Sequence, residues 1–154
     1  MKLKETFWLI GTVIFVIILN FYLFGVDGFK SKSVTDINVH DTYFVIANIH
    51  FILLLSILTF FSIYLIRMLK QNFKNITVNL IFILTGLLSV LFITGLISIV
   101  NSYIGVTQTT EYNLPVTSNM FDNVSTFLYL VQIIIIGLIA YCGFKTGQKY
   151  KLIK

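Results

Sequence analysis

Four long blocks of apolar residues constrain this chain more than any other feature of its sequence. Each block has about the length that a helix needs to cross roughly 30 Å of hydrocarbon. We predict spans over residues 7–24, 43–66, 78–100 and 124–143. Runs such as the four isoleucines at 133–136 are apolar on every side, whereas a membrane β-barrel requires alternation. The sequence therefore predicts an all-α, four-helix transmembrane bundle.

The composition agrees with lipid as the main solvent. Of the 154 residues, 57% are hydrophobic and 11% are charged, against roughly 25% charged in an average soluble domain. Four spans leave little chain for a soluble domain, so we expect a single transmembrane domain over residues 1–154. The basic residues responsible for the net charge of +5 lie beside the spans. Basic residues in that position orient membrane proteins, which favours the lipid bilayer over nucleic acid as the partner.

The positions of the basic residues predict the orientation. Nine of the eleven gather at the N-terminus, after the second span and in the tail: Lys2, Lys4, Arg67, Lys70, Lys74, Lys145, Lys149, Lys151 and Lys154. The first loop is mixed, with Lys30 and Lys32 against Asp27, Asp36 and Asp41. The loop between spans three and four has Glu111 and Asp122 but no lysine or arginine. By the positive-inside rule, we expect both termini in the cytoplasm of an integral membrane protein, in a bacterial inner membrane.

Two further features of the chain have plain structural interpretations. The first apolar block follows lysines, as a signal peptide would, but no small-x-small cleavage site follows Phe24. We therefore interpret it as an uncleaved span. The single cysteine, Cys142, has no partner for an internal disulfide and no metal-ligand spacing around it. We expect it to be a packing residue.

Both histidines of the chain, His40 and His50, lie in the segment that opens the second predicted span. If that helix begins near Tyr43, His50 lies roughly 10 Å below the outer surface at about 1.5 Å per residue. Polar side chains at that depth usually face the bundle interior and have a partner. Two interpretations stay open: a functional imidazole, or a neutral His50 that donates a hydrogen bond to a backbone carbonyl or to a side chain such as Gln132.

The residues just before this predicted helix also have a structural interpretation. Asp41 or Thr42 would cap the free N–H groups of the first turn and interact favourably with the helix dipole. His40 would then belong to a polar cluster at the start of the helix, at the water interface.

The stretch from Ser33 to Phe51, SVTDINVHDTYFVIANIHF, resembles a signature of the large catalytic subunit (subunit I) of heme–copper oxidases. In that family a His-Asp-Thr-Tyr element leads into an Ala-His-x-His element at the outer start of the tenth of twelve helices. The order and direction of the four predicted spans are similar to those of helices nine to twelve. The resemblance therefore implies the fold of these last four helices.

The resemblance also implies roles for two positions. The family's first histidine of Ala-His-x-His ligates the high-spin heme at the oxygen site, and this chain has Asn48 there. An asparagine amide is a poor iron ligand beside imidazole, so we expect no oxygen-reducing centre. The family's second histidine ligates the low-spin heme, and His50 occupies that position. Residues two apart on a helix point about 200° apart, so such a helix lies between two hemes.

The resemblance also has implications for the family's other metal-binding features. Its copper-binding histidines and its other low-spin heme ligand lie on earlier helices, so we expect neither copper nor a complete oxidase here. Its His-Asp pair helps to bind a non-redox divalent metal, which implies His40 and Asp41 as candidate ligands of an ion such as Mg²⁺. Its arginine pair at the heme propionates is absent, because Arg67 is the only arginine and lies on the predicted inner side.

Two functions remain open from the sequence. One is an accessory, assembly or degenerate relative of oxidase subunit I, with no catalytic residue of its own. The other is a low-spin heme protein of the respiratory chain that transfers electrons, with His50 as one axial ligand. The second axial ligand would then come from another copy in a homodimer or from another subunit of a respiratory complex.

Overall fold

The computed structural model describes residues 3–30, 32–39, 42–107 and 120–151. Over these ranges the chain forms four long helices, and each contains a stretch long and apolar enough to cross a membrane. The helices are α1 (Leu3–Phe24), α2 (Asn48–Lys70), α3 (Ile76–Thr107) and α4 (Met120–Lys151). The prediction of four apolar helices is confirmed.

Large apolar side chains cover the outside of these helices. In each of the four apolar stretches, at most 28% of the residues are buried within the protein. Ile133 and Ile134 of α4, for example, are 65% and 62% exposed. Apolar surface in water is unfavourable by about 25 cal/mol per Å², so hydrocarbon is the medium in which this surface is stable.

A pair of short strands precedes α2. Strand β1 (Val34–Val39) pairs antiparallel with β2 (Thr42–Ala47). The ladder runs from the Val34–Ala47 pair to the Val39–Thr42 pair without a shift in register. Strand β2 ends at Ala47, directly before the first residue of α2, so the strand pair lies next to the first turn of that helix.

The prediction that the second helix begins near Tyr43 is therefore wrong, because Asn48 is its first residue. The sequence TYFVIA of β2 is rich in aromatic and β-branched residues, which pack well on a pleated sheet. Hydropathy does not separate such a strand from a helical turn, since both are apolar runs. The partner strand β1 decides between them by pairing with the backbone of β2.

A tight turn joins α2 to α3. Asn72 and Phe73 adopt positive φ angles of 48° and 59°, and the N–H of Phe73 donates to the carbonyl of Met68. Phe73 is also buried, and burial of its ring offsets the unfavourable backbone conformation. The turn brings Asn75, just before α3, back toward the start of α1, where its side chain bonds Glu5.

The chain divides into two compact units, Met1–Thr85 and Gly86–Lys154. In the first unit, the Phe61 and Phe82 rings stack 5.1 Å apart. In the second, Gln132 Nε2 donates to Thr94 Oγ1 at 2.8 Å. Cys142 is fully buried, which confirms its prediction as a packing residue. The single-domain organisation stays a prediction.

Candidate functional site

His50 lies in the first turn of α2, beside the strand pair, and its side chain is exposed. The predicted depth of roughly 10 Å assumed a helix that begins near Tyr43, and that start is wrong because the residues assigned to the first helical turns belong to β2. Within the described ranges the His50 side chain makes no hydrogen bond. Gln132, which we considered as its partner, donates to Thr94 instead.

Asn48, two residues before His50, is the buried centre of a hydrogen-bond network that joins the strands to the helix. Its Nδ2 donates to Ser33 Oγ at 2.7 Å, and its Oδ1 accepts from Thr35 Oγ1 at 2.6 Å. The N–H of Asn48 donates to the Ser33 carbonyl at 3.0 Å. With 7% exposure and both ends of its amide bonded, Asn48 ties the start of β1 to the first turn of α2.

The start of α2 differs from the predicted cap. The residue before the helix is Ala47, which makes no side-chain capping bond. Thr42 is the first residue of β2, at the end of the strand away from the helix, so its interpretation as the cap is wrong. Asp41, the other candidate, lies outside the described residues. The Ser33 carbonyl instead satisfies one of the free N–H groups of the turn.

A glycine allows the chain after α1 to pack against this network. Gly28 is buried in a short 3-10 turn, Asp27–Phe29. A Cβ atom at Gly28 would lie 2.5 Å from Phe24 Cβ and 3.7 Å from Asn48 Nδ2. The next residue, Phe29, stacks on Phe21 with ring centroids 4.6 Å apart. Only a residue without a side chain fits at position 28 while this turn stays in place.

The candidate metal ligands His40 and Asp41 lie outside the described residues. Among the residues that the structure describes, no three His, Cys, Asp or Glu side chains gather in the manner of a metal site. The divalent-metal site therefore stays a prediction.

A second polar cluster, which the sequence analysis does not predict, lies at the other end of α1 and α2. Arg67 Nη2 donates to Glu5 Oε2 at 2.6 Å, and the two side chains are only 9% and 8% exposed. Asn75 Nδ2 donates to the other carboxylate oxygen at 2.8 Å. The guanidinium carbon of Arg67 lies 4.7 Å from the centroid of the Trp8 ring and 5.4 Å from that of Tyr64. The cluster is a buried ion pair with aromatic neighbours.

The sequence contains a signal that could have predicted this pair. Glu5 and Arg67 are ionisable residues close to long apolar runs, and such residues usually pair with one another. Consecutive spans run in opposite directions, so the start of α1 and the end of α2 lie at the same face of the membrane. The positive-inside rule uses Arg67 only as a marker of orientation and takes no account of Glu5.

Four helices able to span a membrane, with largely apolar surfaces and buried polar clusters, define an integral membrane protein. No protein-family model, curated protein or solved structure matches the chain. The relationship to heme–copper oxidases thus rests on residues 33–51 and stays a prediction.

Proposed function

We propose that this protein is a non-catalytic accessory or assembly subunit of a respiratory membrane complex of the heme–copper oxidase type. The proposal rests on the burial and the hydrogen bonds of the Asn48 side chain. A heme ligand must direct a free lone pair at the iron. Asn48 is buried, and Ser33 and Thr35 occupy both ends of its amide. The position that resembles the ligand of the oxygen-reducing heme therefore serves the packing of the hairpin.

The polar contacts of the first unit support a structural role for the chain. The Asn48 network joins the chain before β1 to α2, and the Glu5–Arg67 pair joins α1 to α2 at the opposite end. A further contact, from Asn20 Nδ2 to Ser56 Oγ at 3.0 Å, lies between them along the two helices. Interhelical hydrogen bonds of this kind contribute to helix association in lipid. Helices α1 and α2, joined by side-chain hydrogen bonds at two places along their length, suit a protein that offers a fixed surface to a partner.

One observation favours a second function, low-spin heme binding. His50 is exposed and its side chain makes no hydrogen bond within the described residues, so its ring is open to a ligand from outside the chain. Bis-imidazole ligation is typical of electron-transfer heme, and the second imidazole would come from His50 of another copy or from a partner subunit.

Absorption spectroscopy separates the two functions. The protein is purified in mild detergent from heme-replete cells, and spectra are recorded in the oxidised and reduced states. We expect no Soret band at a stoichiometric level. A band at one heme per chain or per dimer would overturn the accessory role, provided that His50→Ala abolishes it. His40→Ala is the matched control, because it removes the other imidazole.

A genetic experiment tests the accessory role directly. Deletion of the gene from its host should lower the amount of assembled heme–copper oxidase per membrane protein, as measured by its own heme spectrum and oxygen consumption. Complementation with His50→Ala should restore the oxidase, because the accessory role does not use the imidazole. Unchanged oxidase after deletion would contradict the proposal. Recovery of the oxidase with the wild-type gene but not with the His50→Ala gene would favour the heme-binding function.

A further inference from the structure

A groove follows one side of the α1–α2 pair, and one of its ends is basic. That end is a cleft of about 400 Å³ whose walls include Lys4, Trp8, Ile63, Arg67 and Lys70. It lies beside the buried Glu5–Arg67 pair. The cleft therefore combines three cations with an indole ring and an aliphatic side chain.

The other end of the groove is apolar. A second cleft of about 520 Å³ is lined by Phe7, Trp8, Gly11, Phe15 and Ile63, among others. Trp8 and Ile63 line both clefts, so the two are neighbours and together mark a groove from the end of the helix pair toward its middle. We call it the α1–α2 groove.

The charge at the basic end is only partly balanced. Glu5 neutralises Arg67, but Lys4 and Lys70 are exposed and have no acidic partner among the described residues. Arg67 keeps its Nη1 buried without a hydrogen-bond partner in the same set of residues. A buried donor of this kind is unfavourable unless an acceptor reaches it. The basic end thus offers the two uncompensated lysine charges to an anion.

We propose that the α1–α2 groove binds one anionic phospholipid, with its phosphate between Lys4 and Lys70 and an acyl chain along Trp8, Gly11 and Phe15. A cationic cleft next to an apolar cleft matches the two parts of such a molecule. A free phosphate ion would use only the basic end. Basic pockets between membrane helices commonly bind lipid headgroups. The proposal does not depend on the accessory role of the chain.

The headgroup contacts are tested by native mass spectrometry of the full chain in detergent. The probes are phosphatidylglycerol and phosphatidylcholine with identical acyl chains. Each basic residue near an anionic headgroup strengthens binding about fivefold. With two lysines, we therefore expect one phosphatidylglycerol per chain, bound about 25-fold more tightly than phosphatidylcholine. Lys4→Gln with Lys70→Gln should abolish this preference.

A matched control separates a specific site from general attraction between a basic protein and an anionic lipid. Lys145→Gln with Lys149→Gln removes the same charge from α4 and should leave the preference unchanged. Equal loss in the two double variants would overturn the proposal in favour of general attraction. Competition by inorganic phosphate at millimolar concentration, without competition by added lipid, would overturn it in favour of an ion site.

The acyl-chain contact is tested by filling the groove. A Cβ atom at Gly11 would have no neighbour within 4 Å, and Gly11 lines the apolar cleft, so Gly11→Leu places a branched side chain in that end of the groove. It should weaken binding of both lipids severalfold. Gly137→Leu in α4, where a Cβ is equally unobstructed, is the control and should have no effect. Unchanged lipid binding in Gly11→Leu would overturn the assignment of the groove.

Discussion

Arg67 Nη2 lies 2.6 Å from the Glu5 carboxylate, although 62 residues separate the two in sequence. Both side chains are more than nine-tenths buried. Neither charge is stable alone in an apolar medium, so each depends on the other and on Asn75, which bonds the second carboxylate oxygen. The pair therefore determines which end of α1 packs against which end of α2.

Removal of one partner of this pair should be strongly destabilising. We expect Glu5→Leu to lower the free energy of unfolding by about 3 kcal/mol, because it leaves the Arg67 charge buried and unpaired. Unfolding by titration with sodium dodecyl sulfate measures the change. Asp27→Ala is the control: its ion pair with Lys30 is exposed, with 86% and 71% of the two side chains accessible, so the change should stay below about 1 kcal/mol.

Removal of both charges should restore much of that loss. In the double variant Glu5→Leu with Arg67→Met, no uncompensated charge remains, and apolar side chains of similar size occupy the space. We expect the double variant to be more stable than Glu5→Leu alone in the same titration. A double variant as unstable as the sum of the two single variants would contradict the dependence of each charge on the other.

The Asn48 network should control the opening of the strand pair. Asn48→Ala removes both side-chain contacts and leaves the hydroxyls of Ser33 and Thr35 without their partner, which destabilises the hairpin by about 1–3 kcal/mol. Hydrogen exchange over residues 33–48 should accelerate, while α4 keeps its protection. Ser102→Ala, which removes an exposed hydroxyl bonded within its own helix, should leave this exchange unchanged. Equal acceleration in the two variants would show that Asn48 does not hold the strands.

The packing at Gly28 predicts opposite effects for two glycine substitutions. Gly28→Ala places a methyl group against Phe24, and such overpacking destabilises by about 1–3 kcal/mol. Gly137→Ala places its methyl group in open space within a helix, so it should be neutral or stabilising. Comparison of the two unfolding free energies in one detergent checks the prediction. A neutral Gly28→Ala would mean that the turn moves away from Phe24 without loss.

The orientation in the membrane is predicted from charge and is open to a direct test. An even number of spans places both termini on the same side of the membrane, and the basic tail favours the cytoplasmic side. A fluorescent protein fused after Lys154 should therefore fluoresce, while a periplasmic phosphatase fused there should be inactive. Fusions of the same reporters after Asn113, in the loop between spans three and four, should give the opposite result. Active phosphatase at the C-terminus would reverse the predicted orientation.

Much of the candidate site was beyond sequence reasoning. The stretch around Tyr43 is apolar enough for a helix, and only its pairing with β1 makes it a strand. The shift of the helix start to Asn48 moved His50 from a predicted interior position to an exposed first turn. The resemblance to the oxidase signature drew attention to Asn48 as a missing ligand. Its role as the centre of a hydrogen-bond network depends on Ser33 and Thr35, whose positions the sequence does not reveal.

The number and order of the apolar helices followed from the sequence alone, because a run of apolar residues long enough to cross hydrocarbon is a local property of the chain. The tertiary structure alone decided where α2 begins and how Asn48, Glu5 and Arg67 are satisfied. Those outcomes depend on partners 13 to 70 residues away. The energy of a buried polar group is set by the partner that reaches it, and only the folded chain brings that partner into place.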